Sequence, residues 1–139
     1  MGQDFASAWM PEETVQTPRE KGVDPSATSD HRTYALLMHL SLIALHFIPF
    51  ALVIGALVMW QIKKGESSFI DDHGREVVNF QLSLLIYSLA LTALTVATCG
   101  FGAIGFIPLY ILAVVGMIMG GVAASKGEFF RYPATMRLI

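Results

Sequence analysis

Two long stretches of the chain contain no Asp, Glu, Lys or Arg: residues 33–62 and residues 77–124. The first, as one straight helix rising ~1.5 Å per residue, would measure ~45 Å. The hydrocarbon core of a bilayer is only ~30 Å thick. Pro49 divides this stretch, because it lacks an N–H and pushes Ile48 out of helical geometry. The pattern therefore predicts two short helices, about 32–47 and 50–63, joined at Ile48-Pro49; the alternative is one long, tilted and kinked helix. The second stretch is long enough for two spans. Cys99-Gly100-Phe101-Gly102 supplies the break, which predicts helices over about 73–98 and 103–125, with Pro108 near the start of the last, where proline is best tolerated. The expected fold is an all-α, polytopic integral membrane bundle of four helical segments.

Composition agrees with this. Hydrophobic residues make up 54 % of the 139 residues and charged residues 14 %, and the mean hydropathy is +0.57. A soluble domain carries about 25 % charged residues, so an ordinary soluble globule and a disordered chain are both excluded. Nine Lys and Arg against eleven Asp and Glu leave a net charge of −2, which argues against nucleic acid as a partner. Cys99 is the only cysteine, so neither a disulfide framework nor a Cys-rich zinc site is expected.

Residues 1–31 differ from the rest. They hold Asp4, Glu12, Glu13, Glu20, Asp24 and Asp30 against Arg19 and Lys21, with Pro11, Pro18 and Pro25. Such a segment buries too little apolar surface to offset its ordering entropy and reads as a flexible acidic tail ahead of a transmembrane domain at 32–139. It lacks the pattern of a signal peptide. Phe5, Trp9 and Met10 are its apolar residues of note.

The flanking charges orient the chain. Lys63, Lys64 and Arg75 lie between the second and third helices, and Lys126, Arg131 and Arg137 follow the fourth; the turn at 99–102 has none. Basic residues favour the cytoplasmic ends of spans. This predicts a multi-pass protein of the inner (plasma) membrane with the 63–76 loop and the C-terminus in the cytoplasm. A hairpin at Pro49 puts the N-terminus there too, whereas a single span puts it outside; Arg32 favours the hairpin.

The candidate chemistry is concentrated in a few places. Asp71 or Asp72 suits the N-cap of the third helix. Asp72, Glu76 and Asn79 share one helical stripe, with His73 beside them. Asn79 and Gln81 run deeper into apolar sequence, where unpaired amides are costly; an intramembrane polar network with His39 and Ser41 on the first helix is expected, His39 being the first partner for Asn79. His39 and His46 are two turns apart on one helix, which disfavours haem ligation within one chain. No cofactor or metal is expected. Ala113, Gly116, Gly120 and Ala124 form a small-residue face for close helix packing, inside the bundle or in a homo-oligomer. Phe129, Phe130 and Tyr132 with Lys126 and Arg131 read as an interfacial stop. Nothing matches a nucleophile–base triad, a phosphate loop or a zinc-protease motif, so an enzyme is not expected. Asp71, Asp72, His73, Arg75, Glu76, Lys126, Glu128, Arg131 and Tyr132 together form a candidate cytoplasmic contact surface for another membrane protein.

Four patterns carry a family resemblance: His39-Leu40-Ser41; Trp60-x-x-Lys63-Lys64; Phe69-x-Asp71-x-His73-Gly74-x-Glu76-x-x-Asn79-Phe80-Gln81; and Lys126-Gly127-Glu128-x-x-Arg131-Tyr132-Pro133-x-x-x-Arg137-x-Ile139. Over about 32–139 the chain resembles a domain-of-unknown-function family of small bacterial membrane proteins, itself similar to the Tic-twenty subunit of the chloroplast inner-envelope translocon. The resemblance implies a four-helix membrane domain with cytoplasmic termini and no established activity. Two functions follow: a non-enzymatic scaffold or accessory subunit acting by protein–protein contact, and a translocation or permeation component of the Tic-twenty kind. The polar groups within the membrane are few for a solute pathway, which favours the scaffold.

Overall fold

The computed structural model describes residues 22–41 and 51–139, with side chains from Ile54 onward in the second stretch. The regular elements of the described residues are helices: α1 is Ser29–Leu40, α2 Ala51–Lys63, α3 Ser68–Ala97 and α4 Phe106–Lys126, with a short 3-10 helix, Phe101–Gly105, ahead of α4. Two helices are long and apolar enough to cross a membrane, Ser68–Ala97 and Phe101–Lys126, with mean hydropathies of 1.8 and 2.3. The expected fold class of a small helical membrane bundle is therefore the observed one.

Local chemistry sets the helix ends. α1 starts at Ser29, ahead of the expected 32, because the Thr28 hydroxyl accepts a hydrogen bond from the His31 N–H. α3 starts at Ser68, five residues before the expected 73. Its cap is Ser67, whose hydroxyl accepts from the Phe69 N–H at 3.1 Å. Asp71 and Asp72 are thereby inside the helix, Asp71 in the first turn, where the helix dipole still favours a carboxylate. At the far end Gly100 turns the chain with φ +103°, and the Thr98 hydroxyl accepts from the Gly102 N–H.

α1 and α2 run antiparallel. The Tyr34 hydroxyl, near the start of α1, donates to the Met59 carbonyl near the end of α2, at 2.8 Å. Lys63 lies over the same tyrosine ring at 4.9 Å. The start of α1 thus lies beside the end of α2, which one long helix over 33–62 would hold far apart. Pro49 and His46 lie outside the described residues. With 12 and 13 residues, α1 and α2 each measure only ~20 Å at ~1.5 Å per residue, so they flank one half of the longer α3–α4 hairpin.

The core sits in that half. Ala35, Met38, Phe69, Ile70, Val77, Val78, Phe80 and Ala124 are buried together. Burial along α3 ends at Leu84, and burial along α4 begins only at Gly116. The segment after α4 does not leave the bundle. It returns along α3: the Met136 N–H donates to the Ser83 hydroxyl at 2.8 Å and the Tyr87 hydroxyl to the Ala134 carbonyl at 2.9 Å. Residues 22–28 close the same end of the bundle, Val23 pairing antiparallel with Glu128 and the Asp24 N–H donating to the Gly127 carbonyl.

Candidate functional site

The half of the bundle that holds the core also holds a buried polar array built from three elements. His39 comes from α1, His73 from α3 and Tyr132 from the returning segment. His39 Nε2 and His73 Nδ1 are 2.7 Å apart. His39 Nδ1 bonds the Tyr132 hydroxyl, and His73 Nε2 lies 3.1 Å from the Glu128 carbonyl. Both histidines are fully buried.

The direction of the array follows from its end. A carbonyl only accepts, so His73 Nε2 carries a proton. In a neutral imidazole Nδ1 is then the acceptor, and it takes the His39 Nε2–H. His39 Nδ1 in turn accepts from the Tyr132 O–H. Every ring nitrogen is thereby satisfied with both histidines neutral, the form that burial favours. Burial of Tyr132, followed by the charge of Glu76, pushes its phenol well above the ordinary tyrosine range, so it keeps the proton it donates.

Small residues make this approach possible. A Cβ on Gly120 would stand 2.5 Å from His39 Nδ1 and 2.9 Å from the Tyr132 hydroxyl. A Cβ on Gly116 would stand 2.9 Å from Phe80 Cζ, and the Phe80 ring stacks on Tyr132 at 4.0 Å between centroids. Gly116, Gly120 and Ala124 are buried and Ala113 is half-buried, so this face of α4 packs inside the chain.

Around the array lies a charged layer. Arg131 donates two bonds to Asp72, at 2.7 and 2.8 Å, and is 3.6 Å from Glu76. The bidentate bond to Asp72 raises the Arg131 pKa. Asp71 accepts from the Trp60 indole at 2.9 Å and pairs with Arg75 at 3.3 Å. Among the described residues no group of three or more His, Cys, Asp or Glu side chains is arranged to hold a metal ion.

The expected network of His39, Ser41, Asn79 and Gln81 is not formed as one unit. Ser41 donates to the Met38 carbonyl of its own helix. Asn79 does not meet His39: its amide donates to the Ile139 carbonyl at 2.9 Å and its oxygen accepts from the Leu138 and Ile139 N–H groups. Gln81 is buried with neither amide atom paired among the described residues. The returning segment is the reason, since it presents backbone groups without helical partners to Asn79. The contact surface is likewise reduced. His73, Glu76 and Tyr132 are buried, and Asp72 and Arg131 satisfy each other. Arg75 and Lys126 are exposed, and Asp71 and Glu128 are half-buried. Tyr132 is a core residue, not part of an interfacial belt.

The role of Tyr132 and Ser83 is not apparent in the local sequence. His73 does carry a signal: Phe69, His73, Val77, Phe80 and Leu84 follow helical spacing on one otherwise apolar face, which marks a buried histidine.

Comparison with known families corrects the Tic-twenty expectation. The chain matches the model of the MamF/MmsF family, the magnetosome magnetite crystal formation protein family, over residues 30–139. All four motifs quoted for the Tic-twenty resemblance lie inside that stretch. Neither the curated proteins nor the solved structures gave a match. With most of its length matched, the chain belongs to the magnetosome magnetite crystal formation protein family.

Proposed function

We propose that this protein is a non-enzymatic accessory component of the magnetosome membrane that influences magnetite crystal formation through protein–protein contact at its charged end. The family description supplies the process. The carrying observation is the distribution of charge: all charged side chains of the described residues belong to 22–76 and 126–137, and the opposite turn at 98–105 has no carboxylate, histidine or basic residue. A protein that touched iron or mineral through the 98–105 turn would lack the oxygen and nitrogen ligands those surfaces prefer. The buried array is read as architecture, because its ring nitrogens are all engaged internally. The contact groups are then the exposed Lys64, Arg75 and Lys126, with the exposed Glu66 beside Lys64 in sequence. By the basic flanks, that end faces the cytoplasm and the 98–105 turn faces the other side.

The test is a triple charge reversal, Lys64→Glu, Arg75→Glu and Lys126→Glu, in a magnetite-forming cell. The expected result is normal membrane accumulation by immunoblot, with crystals whose size and shape match those of a deletion strain. Normal crystals from the triple variant, combined with altered crystals from substitutions at Thr98 and Phe101, would overturn the contact reading. Labelling of isolated, intact magnetosomes with a membrane-impermeant maleimide, compared between native Cys99 and a cysteine at Ser26 in a Cys99→Ser chain, checks the orientation: position 26 is expected to react and Cys99 to stay protected until detergent is added.

A further inference from the structure

A concave groove of about 520 Å³ runs along the outer side of α4 near its charged end. Its floor is Ile118, Met119 and Val122, each about half exposed. These continue the outward stripe of Ile104, Ile107, Ile111 and Val115 on the same hairpin, the face an apolar span turns to lipid. The upper wall is the antiparallel pair of segments at Val23 and Glu128, together with Phe130. The groove therefore starts on the membrane-facing surface and ends against a polar rim.

The rim carries both signs of charge. The Glu128 carboxylate enters no hydrogen bond or ion pair among the described residues; only its backbone is engaged, donating to Ala123 and accepting from His73. Arg131 also lines the groove, and its bonds to Asp72 and Phe130 use Nη1 and Nη2, leaving Nε outside them. A carboxylate without a partner among the described residues and an arginine with a free Nε, on the rim of an apolar trough, are complementary to a primary ammonium and a phosphate above acyl chains.

We propose that this groove is a binding site for one phospholipid with a phosphoethanolamine headgroup. Glu128 receives the ammonium, Arg131 Nε donates to the phosphate, and an acyl chain lies over Val122, Met119 and Ile118. The free carboxylate at the rim disfavours a purely anionic headgroup. It equally disfavours the acidic N-terminal residues as the occupant. A choline headgroup lacks the N–H donors that Glu128 would engage.

The test uses the full chain in detergent, freed of native lipid. It is followed by native mass spectrometry with phosphatidylethanolamine, phosphatidylcholine and phosphatidylglycerol of identical acyl chains. One phosphatidylethanolamine is expected to be retained with about tenfold preference over phosphatidylcholine, the size of one hydrogen-bonded charge contact. Glu128→Gln should abolish that preference. Val122→Trp, at a site exposed enough to spare the fold, should abolish the retained lipid, whereas Ile107→Trp, outside the groove, should not. Equal retention of the three headgroups, preference for phosphatidylglycerol, or retention by Val122→Trp would each overturn the proposal. So would disulfide formation between cysteines placed at Trp9 and Met119 in a Cys99→Ser chain, which would assign the groove to the protein's own N-terminal residues, within one copy or between two.

Discussion

The two halves of the α3–α4 hairpin satisfy their polar groups in opposite ways. In the half far from the charges, the hydroxyls of Thr92, Thr95 and Thr98 donate to carbonyls four residues back on their own helix. In the near half, polar side chains reach across the fold: His39 to His73 and Tyr132, Asn79 to Ile139, Arg131 to Asp72. A hydroxyl facing lipid has no partner except its own backbone. Where α1, α2 and the returning segment surround the hairpin, partners exist, and imidazoles, amides and ions become affordable. Position relative to the short helices decides which polar side chains a given stretch of α3 or α4 can pair across the fold.

The largest test of this contrast is at Gly120. Gly120→Leu drives a side chain into His39 and Tyr132, and overpacking plus broken buried hydrogen bonds should cost about 3 kcal/mol or more. Loss of folded protein in a thermal or denaturant assay is the expected outcome. Near-wild-type stability would mean that His39 and Tyr132 do not meet across α4.

A smaller loss is expected at the partly buried ion pair. Asp72→Ala and Arg131→Ala should each cost about 2 kcal/mol, below the ~3–5 kcal/mol of a fully buried pair, because the Arg131 side chain keeps 29 % of its exposure and that of Asp72 17 %. The double variant should lose clearly less than the sum, the sign of direct coupling; strict additivity in unfolding measurements would deny the pair.

Asn79→Leu should be milder still, about 1–2 kcal/mol for bonds typically worth ~0.6 kcal/mol each in membrane proteins. Its specific effect should be on the returning segment. A cysteine at Met136 should react faster with a water-soluble maleimide in the Asn79→Leu background than in the parent. Unchanged reactivity would show that Asn79 does not hold the segment down.

The smallest effect belongs to the far half. Ile111 is 55 % exposed, and Ile111→Ala should stay within about 0.5 kcal/mol, as surface changes do. A cost above about 1 kcal/mol would mean that something other than lipid, such as a second copy, covers that face.

The sites show what was legible and what was not. α2 begins one residue from its expected start and ends where expected, because Lys63 and the turn after it are local features. α3 begins five residues early because a serine cap at Ser67 acts before the two aspartates. The glycine face of α4 is readable from spacing alone, but its occupants, Tyr132 and His39, are not. His73 on its apolar stripe announces burial without naming its neighbour.

By itself the sequence determined the membrane character of the chain, its helical segments, the break at Gly100 and the clustering of charge at one end. These depend on uncharged run length, local turn chemistry and flanking residues, all of which act over a few neighbours. Only the tertiary structure decided that Asn79 binds the returning segment instead of His39, and that Tyr132 is core. Those bonds join residues 60 and 93 positions apart, and partners at such separation are set by how whole segments pack against one another, which no local pattern encodes.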